Sequence, residues 1–130
     1  MLRPSLERLG FVVEVGKKSS QKIRRPVLFG ENGLARVSYE IDAFNDLIGI
    51  AVEVEAGRGA SNNADYRDIL RTALLVDANY LVLFMPKKYR HGTTKITTVS
   101  AYANTRNQLD AIYASQRLQL PFLGVLLVGY

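Results

Sequence analysis

The chain has 130 residues, 48% hydrophobic and 22% charged, which fits one globular domain over residues 1–130 rather than a disordered segment. It has no cysteine and a single histidine, His91, which excludes disulfides, Cys-based zinc sites and His-rich metal centres. A metal ion would therefore be held by oxygen, the chemistry of magnesium, manganese or calcium.

"MLRPSLERLG" shows no apolar core ahead of its charges, and "FLGVLLV" is far too short to span a bilayer. A cytoplasmic chain with no membrane partner is expected. The net charge of +5 is unevenly laid out: nine of the twelve acidic residues fall between Glu31 and Asp77. Basic residues crowd into "KKSSQKIRR" (Lys17, Lys18, Lys22, Arg24, Arg25) and "KKYRHGTTK" (Lys87, Lys88, Arg90, Lys95). An acidic centre between two basic segments suits a protein that binds a polyanion around a cation.

In chain order, "RPSLERLG" predicts a short helix begun by Pro4 and stopped by Gly10, and "FVVEV" a strand. "RPVLFG" predicts another strand, ended by the turn "GENG". "ARVSYEIDAF" alternates, with Val37, Tyr39, Ile41 and Ala43 on one face and Ser38, Glu40 and Asp42 on the other. "LIGIAVEVE" alternates too, with Ile48, Ile50, Val52 and Val54 opposite Gly49, Ala51, Glu53 and Glu55, and "NDLIG" joins the two strands as a hairpin.

"NNADYRDILRTALLVDANY" predicts a helix capped by Asn63, with Tyr66, Ile69, Leu70, Ala73 and Leu74 at helical spacing. "YLVLFMP" reads as a buried strand and "KITTVS" as a further strand. Ser100 would cap a helix reaching Arg117, with Tyr102, Leu109, Ile112, Tyr113 and Gln116 inward, and "FLGVLLVGY" closes the chain as a strand. The sum is an α/β sandwich, a mixed sheet with helices packed on it.

Opposed residues of an antiparallel pair share a face, so Asp42, Glu53 and Glu55 are expected together on the face opposite the core. A tight turn at Asn45-Asp46 would set Asp42 opposite Gly49. A wider loop over 44 to 49 would set it opposite Ala51, with Glu53 the diagonal neighbour, and this is the favoured register. Gathered carboxylates repel unless a cation or protons intervene. Asp42, Glu53 and the Val54 carbonyl offer hard oxygen ligands for such a cation, which can acidify water and neutralise a phosphate.

"YEIDAFNDLIGIAVEVEAG" resembles the core of the PD-(D/E)xK nuclease superfamily in its restriction-endonuclease-like branch: an Asp on one strand, E-x-(K/E) on the next, then a helix and a buried strand. The resemblance implies a restriction-endonuclease-like mixed central sheet flanked by helices. It also implies a Mg-dependent endodeoxyribonuclease, with Mn able to substitute, that hydrolyses phosphodiester bonds of DNA as a restriction-type or junction-resolving enzyme. Asp42 and Glu53 match the metal ligands and Glu55 the third catalytic position, where most members carry lysine. Glu7 sits where some members carry a further acidic ligand, with Glu14 competing for that place. The family also implies a homodimer.

Arg58, between the glycines of "EAGRG", is a candidate phosphate contact alongside Lys17, Lys18, Lys22, Arg24, Arg25, Lys87, Lys88 and Arg90. Pairing along the helix is the plainer account of Arg67 with Asp65 or Asp68. The alternative to an endonuclease is a catalytically inactive nucleic-acid-binding or assembly module on the same fold.

Overall fold

The computed structural model describes residues 2–56, 63–91 and 97–130. Its elements are α1 (Arg3–Arg8), β1 (Val12–Val13), β2 (Ile23–Phe29), β3 (Ala35–Ile41), β4 (Ala43–Asn45), β5 (Ile50–Val54), α2 (Ala64–Ala73), β6 (Tyr80–Met85), β7 (Tyr89–His91), β8 (Thr97–Val99), α3 (Ala101–Ser115) and β9 (Gly124–Gly129). Five strands form a mixed central sheet in the order β1-β4-β5-β6-β9. β1, β4 and β5 run antiparallel in turn, and β5, β6 and β9 run parallel. The β2–β3 and β7–β8 hairpins form separate two-stranded sheets. This is an α/β architecture, and among the described residues no helix is long and apolar enough to cross a membrane.

Local chemistry explains most boundaries. Pro4 starts α1, and Gly10, at a φ of 83°, turns the chain out of it. Asn32 and Gly33 adopt left-handed conformations in the β2–β3 turn, and Pro26 falls beside an irregularity in the ladder, where a missing N–H is tolerated. In the β4–β5 turn Asn45 Oδ1 accepts the N–H groups of Leu47 and Ile48 at 3.1 and 3.2 Å.

The single strand expected over "ARVSYEIDAF" is divided. Ile41 ends β3 opposite Ile23, Ala43 begins β4 opposite Val52, and Asp42 is the bend between two sheets. The β4–β5 register also differs from the expected one. Phe44 faces Ala51 and Asn45 faces Ile50, so continuing the ladder sets Asp42 opposite Glu53 rather than opposite Ala51. The shift is an even number of residues, so the face is kept.

The core lies on the other side of the sheet from the one expected. Phe44, Ala51, Leu81 and Leu83 are buried with Ile69 of α2 and Leu109 of α3, which places the core on the face that carries Glu53. Each large side chain so buried contributes about 1.5–3 kcal/mol. On the reverse face Val52 is buried, whereas Ile50, Val54 and Val82 are half-buried and Ile48 is exposed. β5 buries Val52 on one side and Ala51 and Glu53 on the other, so the alternation that set its apolar face toward the core pointed to the wrong side.

The buried stripe of α2 differs too. Ala64, Asp65, Asp68, Ile69 and Thr72 face inward, while Tyr66, Leu70 and Leu74 are exposed. Both acids are held by partners, Asp65 accepting Thr105 Oγ1 at 2.8 Å and Asp68 accepting Arg67 Nε at 3.1 Å, whereas the buried Thr72 hydroxyl has no hydrogen-bond partner among the described residues. On α3 the buried residues are Ala101, Thr105, Leu109 and Ile112, whereas Tyr113 is exposed and Gln116 ends the helix in a left-handed conformation. Asn63 and Ser100 precede their helices without a side-chain capping bond; the Ser100 hydroxyl donates to the Lys87 carbonyl instead.

Candidate functional site

Where β4 begins one residue after Asp42, the ladder beside β5 loses a main-chain partner, and a side chain takes its place. The Val54 N–H donates to Asp42 Oδ2 at 2.7 Å, while the Asp42 carbonyl accepts the Glu14 N–H at 2.9 Å. Asp42 is thus anchored at the C-terminal end of β5, with its carboxyl beside that of Glu53. Two residues on, the Glu55 N–H donates to the Phe84 carbonyl at 3.0 Å, which holds this residue to β6 beyond the end of β5. The Glu55 carboxyl meets Asp68 of α2.

These groups line one cavity of ≈170 Å³ together with Glu14, Lys22, Glu40, Arg67 and Arg71. Glu53 and Glu55 are buried, at 9% and 8% exposure, so each carries a heavy desolvation cost as an anion. Burial, reinforced by the Asp42 charge, pushes the Glu53 carboxyl up to about 9. Burial and then the hydrogen bond with Asp68 push Glu55 up to about 8. Asp42 is raised as well, by burial, against the opposing pull of the Val54 N–H. Burial and mutual repulsion thus both favour the protonated forms of these carboxyls, and a cation entering the cavity would have to displace those protons.

Three cations border the acids. Arg67 reaches Asp68 Oδ1 at 3.1 Å and Glu55 Oε1 at 3.4 Å, and remains 57% exposed. The Arg71 guanidinium lies 5.0 Å from the centre of the Tyr39 ring, and its charge acts to lower the Glu53 pKa. Lys22 pairs with Glu14, and this hydrogen bond raises the lysine pKa.

The structure thus brings together Asp42, Glu53 and Glu55, with Val54 beside them. It adds Asp68, absent from the sequence-derived set, whose signal was its i, i+3 spacing from the equally buried Asp65. Glu7 stands apart: it is exposed on α1 and bonded to Arg3 at 2.8 Å, whereas Glu14 reaches the cavity. Among the described residues, no group of three or more acids or histidines is arranged to hold a metal ion; the acids meet two by two, Asp42 with Glu53 and Glu55 with Asp68.

The basic candidates separate into distinct situations. Lys17, Lys18, Lys87, Lys88 and Arg90 are exposed. Lys22 is in the cavity, and Arg24 pairs with Glu40 at 3.0 Å. Arg25 is largely buried, 4.2 Å from the Phe44 ring centre and bonded to Asp46, so it serves the packing of β2 on the core rather than an open surface. Arg58 lies outside the described residues. Tyr130 ties the second basic segment to the acids: its hydroxyl donates to the Glu55 carbonyl at 2.5 Å, and its carbonyl accepts the Lys87 N–H at 2.7 Å.

No family model, curated protein or solved structure matches the chain.

Proposed function

We propose that the protein is a metal-dependent DNA endonuclease of the PD-(D/E)xK kind on a restriction-endonuclease-like fold, with Asp42, Glu53 and Glu55 as its catalytic carboxylates. The observation that carries this reading is the meeting of Asp42 and Glu53 at the end of β5, with Glu55 two residues on and Lys22, Arg67 and Arg71 lining the same cavity. The all-oxygen donor set fits a hard dication such as magnesium or manganese.

Asp42, Glu53 and the Val54 carbonyl would hold that ion; when bound, it would lower the pKa of a water and neutralise charge on the scissile phosphate. The chain's own residues do the rest. The Val54 N–H fixes the Asp42 carboxyl, leaving its second oxygen free to turn toward a ligand. Glu55, once ionised beside Arg67, would accept a proton from the attacking water. Lys17, Lys18, Lys87 and Lys88 attract the polyanion. Catalysis on both strands of a duplex calls for two sites, hence a homodimer.

A non-catalytic DNA-binding or assembly module is the second reading. It is favoured by one observation: Glu55 and Glu14 already have Arg67 and Lys22 as partners within the chain. Incubation of wild type and Asp42→Ala with plasmid and branched DNA in magnesium or manganese separates the two. Cleavage by wild type and its loss in the variant are expected. A wild type that neither cleaves nor binds manganese establishes the second reading.

A further inference from the structure

We infer that β9 is a self-pairing edge: the central sheet joins, antiparallel, to the same edge of a second copy of the chain. The two edges of that sheet are unlike. β1 has two residues and is followed by Glu14, bonded to Lys22. Shortness and nearby charge are the ordinary means by which an edge is kept from pairing. β9 has six residues, "GVLLVG", and no charged residue occurs from Leu118 to Tyr130.

The Tyr130 N–H donates inward to the Met85 carbonyl at 3.1 Å. By strand alternation, the N–H and C=O groups of Val125 and Leu127 point away from β6. Among the described residues no strand pairs with that side. Leu126 is 57% exposed and Leu123 75% exposed, so apolar side chains as well as main-chain groups await cover there.

The occupant follows from the composition of the strand, which carries no charge and sets only apolar residues against a copy of itself. A twofold centred on Leu126 sets that residue against itself, Val125 against the second copy's Leu127, and Gly124 against its Val128. A twofold centred on Leu127 likewise keeps apolar opposite apolar, and neither register brings like charges together. The shallow groove lined by Ile50, Tyr80, Val82, Gly124 and Leu126 runs up to this edge and would become continuous across the axis. An axis perpendicular to the joined sheet leaves corresponding faces on the same side. Both carboxylate cavities then open on one face, with five strand spacings, about 24 Å, between β5 and its counterpart.

The pairing is tested independently of any cleavage activity. Sedimentation equilibrium of the full chain at tens of micromolar is expected to give twice the 14.5 kDa chain mass. Leu126→Lys and Leu126→Glu should each sediment as monomers with unchanged far-UV circular dichroism, and their equimolar mixture should regain the dimer. A monomeric wild type, or a dimer that survives both charged variants, overturns the proposal. Because the chain has no cysteine, single-cysteine variants remain informative even where the charged variants fail to fold. Leu126→Cys or Leu127→Cys, whichever lies on the axis, should form an oxidised dimer, since opposed Cα atoms lie about 4.5–5.5 Å apart. No cross-link from either is a second overturning result.

Discussion

Asp65 and Asp68 stand one turn apart on the buried side of α2, at 5% and 4% exposure, yet they are chemically opposite. Asp65 accepts hydrogen bonds from Thr105 Oγ1 and the Tyr66 N–H, and the Gln108 amide, with its nitrogen turned inward, donates to it as well. Every partner is a neutral donor, and the result is a bolt between α2 and α3. Asp68 faces another carboxyl, Glu55, and shares one arginine with it. Burial is the same in both places; only the second leaves charge unresolved. Frustrated acids, rather than buried acids as such, mark the candidate site.

The largest effect expected on the frustrated side is catalytic. Glu55→Ala should lower DNA cleavage at least about 100-fold, beyond the range typical of groups that merely orient metal ligands, whereas Glu55→Lys should retain measurable activity. Initial rates in magnesium and manganese check this, and undiminished cleavage by Glu55→Ala would remove the role assigned to Glu55.

On the satisfied side the effect is structural. Asp65→Ala leaves buried donors on Thr105 and Tyr66 without an acceptor and should cost about 2–4 kcal/mol in urea unfolding. Asp68→Ala relieves repulsion at Glu55 while Arg67 remains its partner, so its cost should stay within about 1 kcal/mol. Equal losses in the two variants would erase the distinction drawn between them.

Proton linkage gives a third contrast. Glu53 and Glu55 hold protons up to about 9 and 8 when folded, against an ordinary value of 4.5. Between those limits the folded state binds more protons than the unfolded one, so this stabilisation is complete below about pH 4.5. It is lost as pH rises toward 9, by at most about 1.4 kcal/mol per pH unit for each group. Thermal unfolding in chelator should show the decline, and Glu53→Gln should flatten it. A slope that the variant leaves unchanged would refute the assignment.

The smallest effect concerns the basic segments. Neutralising Lys17 and Lys18 should reduce the slope of log affinity against log salt for duplex DNA by about 2. Adding Lys22→Gln should change it little further, because Lys22 is already committed to Glu14. Fluorescence anisotropy across a salt series measures both, and a full additional unit from Lys22 would contradict that commitment.

The convergence of Asp42, Glu53 and Glu55 was legible in the sequence because strand parity survives any even slip of register. The slip itself, which puts Asp42 level with Glu53, depends on how the "NDLIG" turn closes and on where β3 gives way to β4; local pattern does not encode these. The side of the sheet taken by the core was hidden for a related reason. Ala51 and Phe44 lie under helices whose arrival is a tertiary event, and Ile50 and Val54 look no less buried in the sequence. Asp68 escaped notice because Tyr66, Leu70 and Leu74, counted with the buried Ile69 in one apolar stripe, are exposed; the helix turns Asp65, Asp68 and Thr72 inward beside Ile69 instead.

Gly49 has a reach beyond its own turn. At a φ of 76° its N–H donates to the Asn45 carbonyl, while its own carbonyl accepts the N–H groups of both Asn79 and Tyr80. An added Cβ would stand 2.5 Å from the Asp77 carbonyl oxygen. One residue without a side chain therefore clamps β4, β5 and β6 at the end remote from the acids, and acts as the zero mark of a ruler along which Asp42, Glu53 and Glu55 are graduated. Substitutions among the acids change what the site is made of without moving it, whereas a side chain at position 49 would displace the whole scale.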